Sequence, residues 1–466
     1  MTRNVASLSL TQRAAERTVG QLESLNDVEQ RIVLESFAET VSVALGASGD
    51  HAAVTVYEAS RVKARQGKSV IWNSGETVDA ETAALVNGTC AHALDFDDVV
   101  DYLIGHPSSV IVPALLACAD ETGTEGEGLL DAYVVAFQLA CAVAAGLGIE
   151  EHYAHGWHAT ATIGVVAATA GVARLRGLDV DRTVHALAIA VSTASGLRAN
   201  FGSDTKPLHV GFAARSAVEA CSLAAAGVTG SPRALEAPAG FLDVLGGAPN
   251  AEASLKVLNG ELRIRNGVNR KPHACCYQAQ RAAEAALGLS QRWDGDLGPV
   301  QTVRLTVHPG STTALAHPDP KNGQQARFSA PYIVACGLRG ETLGPRAFTD
   351  AAATRAQPRP LMDLVEVTEA LRPPVGPPEW RDGYSTLEVI RSEDAGGTLK
   401  GRVDVPPGHA SRPLAAEELW QKCRDSALFG GRGVGFDKIE VALRNLATPD
   451  GPMGLRSALI ASGTLR

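Results

Sequence analysis

The sequence has no run of basic residues. Lys and Arg number 42 against 51 Asp and Glu, which gives a formal net charge of −9. Proteins that bind nucleic acid or anionic membranes usually concentrate Lys and Arg on one face or segment. We therefore expect no nucleic-acid partner and no membrane partner, which leaves small molecules and other protein chains.

The sequence also lacks a Cys-x-x-Cys pair and a secretory leader pattern. Its eight cysteines lie mostly among Ala, Leu and Val, which is typical of reduced core thiols. They are Cys90, Cys118, Cys141, Cys221, Cys275, Cys276, Cys336 and Cys423. The segment MTRNVASLSLTQRAAERTVGQ has no apolar core of the signal-peptide type, and apolar runs such as IGVVAATAGVA are shorter than a membrane span. We expect a cytoplasmic protein.

Metal and dinucleotide motifs are missing as well. His152, His155 and His158 recur at three-residue intervals, but Gly156 interrupts the helical face that would gather them, and there is no His-Glu-x-x-His motif. The segment GGRGVGFD near residue 430 does not have the Gly-x-Gly-x-x-Gly spacing and follows a helical pattern. We expect no metal ion and no organic cofactor.

Helical patterns dominate residues 1–265. Segments such as NDVEQRIVLESFAETVSVALG repeat apolar residues at helical spacing. This segment begins near Asn26, a plausible cap, and ends at Gly46. Most of the segments are rich in Ala and Gly, which predicts helices buried on several sides. A chain of 466 residues is natural for two domains of unequal size.

The pattern changes after about residue 265. The segments GPVQTVRLTVHPG, STLEVIRSE and GGTLKGRVDVPPG alternate apolar and polar residues, which predicts strands, and DKIEVALRN is a weaker example. The segment GQQARFSAPYIVACGLRG is typical of a helix, ALRPPVGPPEWRDGYS of a proline-rich loop, and AAEELWQKCRDSAL of a helix. We predict a mainly α fold, with a large all-helical domain over 1–265, joined by the C-terminal helix within 411–466, and a smaller α+β domain over 266–410.

Four basic residues precede apolar helical segments. His106, Lys206 and Lys271 each stand directly before a proline, and His158 precedes ATATIGVVAATAG. Proline favours the first position of a helix, so these side chains are expected at helix N-termini, where free N–H groups attract anions. If the fold brings them together, they form a site for a polycarboxylate or a phosphate. For any single one of them, a solvated turn is the simpler interpretation.

The segment DFDDVVDYLIGHPSS crowds four carboxylates and a histidine between two apolar segments. We expect at least two of Asp97, Asp98 and Asp101 to face solvent. Asp95 differs because it follows the apolar side of the preceding helix, where an unpaired carboxylate would be costly. It therefore needs a cation, either His106 or a lysine.

At these same residues the chain resembles the MmgE/PrpD family, whose members include 2-methylcitrate dehydratase, cis-aconitate decarboxylase and iminodisuccinate epimerase. The matching motifs run in family order over nearly the whole chain. They are AHALDFDD, GHPSSVIVPALLA, GWHATATIG, ALAIAVSTASGL, NFGSDTKPLHVGFAARSA, KPHACC and ARFSAPYIVACGLRG. The resemblance implies a helical domain with an α+β lid, usually in a homodimer, and a metal-free site where the two meet.

The resemblance also implies roles for particular residues. Those with implied catalytic roles are Asp95, His106, His158, Lys206 and Lys271, and those with implied substrate contacts are Ser108, Thr205 and Tyr332. Three positions depart from patterns common in the family. Val99 replaces a threonine, Gln280 replaces a histidine after the Lys-Pro-x-x-Cys-Cys segment, and Cys276 stands where the decarboxylase branch has a histidine.

The family's reactions make or quench a carbanion beside a carboxylate. Lys206, Lys271 and helix N-termini would stabilise that charge, and His106 and His158 would divide the acid and base roles in either order. We expect a dehydratase-type lyase that acts on a small di- or tricarboxylate such as 2-methylcitrate. The alternatives are an epimerase of an aspartate-like acid, a cis-aconitate-type decarboxylase, and a non-catalytic helical dimer that binds a metabolite.

Overall fold

The structure, a computed structural model, describes residues 9–292, 299–371, 383–395, 397–433 and 435–463. The helices of its N-terminal part are α1 Leu10–Val19, α2 Asp27–Gly46, α3 His51–Arg61, α4 Ala80–Ala93, α5 Pro107–Thr122, α6 Gly126–Leu147, α7 Ile149–Ala154, α8 Ala159–Leu175, α9 Val180–Val191, α10 Thr205–Ala225, α11 Phe241–Leu245 and α12 Ala251–Leu258. Two short strands, β1 Ser69–Val70 and β2 Thr77–Val78, pair antiparallel between α3 and α4. The prediction of a mainly α fold is confirmed.

The C-terminal part mixes helices and strands. Its helices are α13 Gln280–Ser290, α14 Gly323–Ala326, α15 Ala330–Leu338, α16 Asp350–Ala353, α17 Arg359–Met362, α18 Ala416–Phe429, α19 Phe436–Arg444 and α20 Gly451–Ser462. Its strands are β3 Val300–Val307, β4 Val365–Glu369, β5 Ser385–Arg391 and β6 Leu399–Val403, in the sheet order β4-β3-β5-β6. Strands β3 and β4 are parallel, and the other two pairings are antiparallel.

Strand alternation explains how this sheet is covered. Val303 and Leu305 of β3 pair with Val389 and Leu387 of β5, and all four side chains are buried. Helix α13 packs against β5 and β6. One face of the sheet is therefore apolar, which is the pattern that the alternating segments predicted.

Small residues let the central helices approach each other closely. Every residue of α8 from Ala159 to Ala173 is buried, so this helix is enclosed on all sides. Helices α4 and α10 meet at two glycines, and a Cβ atom on Gly88 would lie 3.1 Å from the Cα atom of Gly211. This close contact places the C-terminal end of α4 beside the N-terminal end of α10, which is where the candidate site lies.

Local signals account for several helix boundaries. Asn26 caps α2 as predicted, since its side chain accepts from the backbone of Val28 and Glu29 and the Glu29 side chain accepts from the backbone of Asn26. The predicted helix in AAEELWQKCRDSAL is α18, which packs against α2. The C-terminal helix thus returns to the helical part of the chain.

Some predictions were wrong. The segment DKIEVALRN is helix α19, because its buried residues Phe436, Ile439 and Leu443 recur at helical spacing. The helix predicted in GQQARFSAPYIVACGLRG is broken into α14 and α15, since the side chain of Ser329 caps a new helix. Strand β4 was not predicted. Most of the proline-rich segment, 372–382, lies outside the described residues.

Among the described residues, two helices are long and apolar enough to cross a membrane by length and composition, contrary to the expectation that the apolar runs are too short. They span Asp27–Gly49 and Gly126–Leu147. Within their most apolar windows, 72% and 83% of the residues are buried inside the protein. Core helices of globular proteins pass the same test, so this finding is weak evidence for a membrane segment.

The contact between α4 and α10 gives a stability prediction. We expect Gly211→Ala to destabilise the protein by about 1–3 kcal/mol, because the added methyl group would overlap the Leu85 carbonyl oxygen and the Thr89 hydroxyl. Gly288→Ala in α13 is the control, because a Cβ atom there meets nothing within 4 Å and should stabilise the helix slightly. Urea unfolding measures both, and equal effects would contradict the close packing.

Candidate active site

A cavity lies where three helices of the N-terminal part begin and where segments of the C-terminal part cover them. It is lined by Asp95, Val99, Ile104, Gly105, His106, Tyr153, His158, Thr160, Phe201, Lys206, Cys276, Tyr277, Gln278 and Phe328. His106 and His158 occupy the N-cap positions of α5 and α8, and Lys206 is the second residue of α10. Three of the four predicted helix-start bases therefore converge on one cavity.

The fourth base, Lys271, reaches the same place by another route. No helix begins at Pro272, so the prediction of a helix start there was wrong. The Lys271 side chain is fully buried behind the cavity, and its Nζ atom lies 2.9 Å from Asp95 Oδ1. Its position is set by this ion pair and not by a helix N-terminus.

Asp95 is the centre of the cluster. It is 3% exposed, and its Oδ1 atom lies 3.2 Å from Lys206 Nζ and 3.8 Å from His106 Nε2. Burial raises the pKa of Asp95, but the ammonium groups of Lys206 and Lys271 outweigh burial and hold that pKa well below its usual range. The prediction that Asp95 needs a cation is confirmed. Its Oδ2 atom is buried and has no hydrogen-bond partner among the described residues.

Cations also hold the backbone around Asp95. This residue has a positive φ of 49°, a backbone conformation that residues other than glycine rarely adopt. Lys271 Nζ donates to the Asp95 carbonyl oxygen at 2.6 Å, and Arg327 donates to the Ala93 carbonyl at the end of α4 at 2.5 Å. The negative end of the α4 dipole therefore faces fixed positive charge, which stabilises the unusual turn.

A second buried chain of contacts links Asp97 to Lys206 through His92. Asp97 Oδ2 lies 2.7 Å from His92 Nδ1, and His92 Nε2 lies 2.6 Å from Lys206 Nζ. An ammonium group only donates, so His92 Nε2 accepts and Nδ1 carries the hydrogen that it donates to Asp97. His92 was not singled out from the sequence, and its place directly before ALDF was the available signal.

The expectation that at least two of three neighbouring aspartates face solvent was wrong. Asp97 and Asp98 are buried, and Asp101 is partly buried and accepts a hydrogen bond from Asn269 Nδ2 at 2.7 Å. Burial raises the pKa of Asp98 to about 7. The segment is not a helix end in water, because the 269–271 segment and α18 pack over it.

His106 presents a free lone pair to the cavity. Its Nδ1 atom lies 2.7 Å from the Asp98 carbonyl oxygen, which can only accept, so Nδ1 carries a hydrogen, and in the neutral ring Nε2 carries none. Burial, together with the positive charge of Lys271 and Lys206, holds the pKa of His106 well below its usual value. The side chain is therefore a neutral imidazole at pH 7.

His158 stands at the N-terminus of α8 and contacts a second histidine. Its Nδ1 atom lies 3.2 Å from the Nδ1 atom of His209, so the two rings share one hydrogen. Burial and the nearby ammonium group of Lys206 hold the pKa of His158 well below its usual value. His209 was not predicted from the sequence, although it lies three residues after Lys206 and therefore on the same face of α10.

The three residues with implied substrate contacts do not line the cavity. Ser108 is fully buried and donates to Asp98, Thr205 begins α10, and Tyr332 donates to the Ala347 carbonyl at 2.6 Å. Ser108 and Tyr332 thus hold other parts of the protein in place, and their hydroxyl groups already have partners. Direct contact of these three residues with a substrate stays a prediction.

Four side chains of the cluster could together hold a metal ion. Ligand atoms of His92, Asp95, Asp97 and His106 lie within 4.8 Å of one another, and this group was not predicted from the sequence. The residues fit a cation poorly, because His92 and Asp95 already contact the ammonium groups of Lys206 and Lys271. A divalent ion there would meet fixed positive charge.

Two family models match the parts of the chain that form this cavity. The model of the MmgE/PrpD N-terminal domain matches residues 14–254, and that of the MmgE/PrpD C-terminal domain matches residues 273–431. The chain belongs to the MmgE/PrpD family. Both matches together cover the segments that form the cavity, so the resemblance noted in the sequence motifs is confirmed.

Curated relatives in the family share a name. Cis-aconitate decarboxylase of Homo sapiens is 27% identical over 398 residues, which cover 83% of this chain and 80% of that protein. The protein of the same name from Mus musculus is 26% identical over 412 residues, covering 85% and 81%. That of Aspergillus terreus is 26% identical over 284 residues, covering 57% and 58%. At this similarity the relatives support a lyase of the MmgE/PrpD type.

Two of the three departures from common MmgE/PrpD patterns line the cavity. Val99 and Cys276 are cavity residues, so both alter its surface. Gln280 is fully buried outside the cavity lining, and its amide donates to the carbonyl oxygens of His273 and Cys275 at 3.0 and 3.1 Å. It therefore shapes the turn that follows Lys271.

The cluster predicts a large effect of removing the central charge. Asp95→Asn leaves two buried ammonium groups without their carboxylate, and we expect a loss of about 3–5 kcal/mol in the free energy of unfolding at pH 7. Glu388→Gln is the control, because its pair with Lys400 lies on the sheet surface, where such pairs contribute about 1 kcal/mol or less. Urea unfolding compares the two, and equal losses would contradict the central role of Asp95.

The same pair of variants gives a pH test. The folded pKa of Asp95 is below its usual value of 3.8, so its stabilisation is complete above that pH and is lost as the pH falls through the folded pKa. The titration of Asp95 should therefore leave the difference in the free energy of unfolding between wild type and Asp95→Asn constant from neutral pH down to about pH 4. A difference that disappears already near neutral pH would mean that another group carries the effect.

Proposed function

We propose that this protein is a metal-independent lyase that acts on a small di- or tricarboxylate by removing a proton next to a carboxylate. The observation that carries the proposal is that three helices begin at one cavity. His106 stands at the start of α5, His158 at the start of α8 and Lys206 at the start of α10. Free N–H groups and fixed cations attract anions and stabilise the negative charge that develops when a proton leaves carbon.

His106 is the base in this mechanism. Its Nε2 lone pair is free because Nδ1 is bonded to the Asp98 carbonyl, and its depressed pKa keeps it unprotonated at neutral pH. Proton abstraction moves the substrate C–H electrons into the adjacent carboxylate, and Lys206 faces the cavity where that charge appears. Asp95 keeps Lys206 in place, with 3.2 Å between the ion-paired atoms.

His158 is the acid. A bound polycarboxylate adds negative charge beside its imidazole, which raises its pKa, so His158 takes up a proton as the substrate binds. It then delivers that proton to the leaving hydroxyl group, which departs as water. The contact with His209 lets the Nδ1 hydrogen be shared while Nε2 exchanges its own.

The leading reaction is the dehydration of a hydroxylated tricarboxylate such as 2-methylcitrate. Two imidazoles at one cavity suit an elimination, because it needs both a base and an acid. A second candidate is the decarboxylation of cis-aconitate, which the names of the relatives favour. Cys276 in the cavity wall favours the first reaction, because the decarboxylase branch has a histidine there.

We also propose that the chain forms two units around the site. Residues 266–410 form the smaller unit and supply Cys276, Tyr277 and Phe328 to the cavity, while 1–265 and the C-terminal helices form the larger unit. We propose that two copies of the chain form a homodimer in the cytoplasm. The partner that we propose for this cavity is a small polycarboxylate.

Purified protein and a small substrate panel test the reaction class. We expect turnover of 2-methylcitrate, followed by the absorbance of the new carbon–carbon double bond, and the same rate after treatment with a chelator. Release of CO2 from cis-aconitate would assign the second candidate, and inversion of an aspartate-like acid would assign an epimerase. Activity that disappears with the chelator and returns with one specific divalent ion would contradict the metal-independent mechanism.

The two histidines are expected to fail in different ways. His106→Gln should abolish both turnover and exchange of the substrate α-proton with deuterium oxide, because exchange needs the base. His158→Gln should abolish turnover but keep exchange, because only elimination needs the acid. Proton NMR measures exchange, and the melting temperature confirms folding. Exchange that survives in His106→Gln and is lost in His158→Gln would reverse the two roles.

A further inference from the structure

A buried lysine of the C-terminal part contacts the backbone of both segments that carry the Asp95 ion pair. Lys422 of α18 is 8% exposed, and its Nζ atom donates to the carbonyl oxygens of Phe96 and Lys271, each at 2.8 Å. Phe96 follows Asp95 directly. The ammonium group thus joins the residue beside the central carboxylate to the lysine that binds it.

The third contact of Lys422 is with an acid. Its Nζ atom lies 2.6 Å from Glu39 Oε1, and Arg270 Nη1 lies 2.5 Å from Glu39 Oε2. Glu39 is therefore paired twice, and one partner remains if Lys422 is removed. An ammonium group has three N–H donors, and Lys422 uses two of them on backbone carbonyls. Charge balance for Glu39 alone would not require those two bonds.

We propose that Lys422 is a positioning residue of the active site, which sets the distance between Asp95 and Lys271 by binding the carbonyl oxygens of Phe96 and Lys271. It does not line the cavity, so it acts through those two residues. The proposal rests on the proposed function for its effect on turnover. Its structural part, the spacing of the ion pair, stands on geometry alone.

Two double variants separate hydrogen bonding from charge. In a Glu39→Gln background, Lys422→Met removes every donor, whereas Lys422→Gln keeps an amide donor toward the carbonyls, and both side chains are neutral. Glu39→Gln alone is the charge control, because it keeps the Lys422 donors. Ser48→Ala is the control for docking of α18, because its hydroxyl donates to the Gly430 carbonyl at 2.6 Å, away from the cavity.

The measurements are kcat, KM, the melting temperature and the crystal structure of each variant. We expect kcat of the Met double variant to fall about 10²-fold, as for a displacement of about 1 Å at a catalytic group, with a smaller change in KM. The Gln double variant should recover part of this loss. Ser48→Ala should stay close to wild-type kcat, and Glu39→Gln should lose less kcat than the Met double variant because it keeps the Lys422 donors.

The crystal structures test the positioning claim without any need for activity. If the wild type acts on none of the tested substrates, that result contradicts the proposed function and not the positioning claim. The distance between Asp95 Oδ1 and Lys271 Nζ, 2.9 Å in the wild type, should lengthen in the Met double variant and remain in Ser48→Ala. An unchanged distance would overturn the proposal. So would equal kcat in the Met and Gln double variants, or unfolding of both when Glu39→Gln folds, since Lys422 would then support the fold as a whole.

Discussion

The buried carboxylate of Asp95 is the interaction on which the site depends. Its Oδ1 atom draws together Lys206, Lys271 and His106, which come from separate parts of the chain, at 3.2, 2.9 and 3.8 Å. Without that charge the two ammonium groups would repel each other in a medium of low dielectric constant. The same arrangement keeps positive charge beside the cavity, and burial together with the nearby cations lowers the pKa of His106 and so disfavours its protonation.

The helical architecture concentrates positive charge at the cavity. Helices α5, α8 and α10 begin at the cavity, and their N-termini add partial positive charge that a bound anion would neutralise. Close packing of α4 against α10 at Gly88 and Gly211 brings the end of one helix to the start of the other. The site is thus built on rigid elements, which suits a mechanism that relies on fixed charges in place of a metal.

Part of this could be predicted from the sequence. The burial cost of an unpaired Asp95 and the position of basic residues before helices identified the central group and its partners, because both signals are local. Three residues of the cluster could not be predicted, because they belong to it through contacts that the fold creates with Lys206 and His158. They are His92, Asp97 and His209. Lys271 was predicted at a helix N-terminus, but its ion pair with Asp95 sets its position. Strand-like alternation in DKIEVALRN misled for a similar reason, because its buried face is helical.

The central claim is that burial, assisted by the positive charge of Lys271 and Lys206, holds His106 neutral, with its lone pair toward the cavity. Nitrogen NMR of protein labelled with ¹⁵N-histidine tests this directly, with His106→Gln used to assign the signal. We predict a neutral ring at pH 7 because the pKa of His106 is lowered by burial, with the hydrogen on Nδ1 because this atom lies 2.7 Å from the Asp98 carbonyl oxygen, which can only accept. A doubly protonated ring at pH 7, or hydrogen on Nε2 alone, would contradict the account.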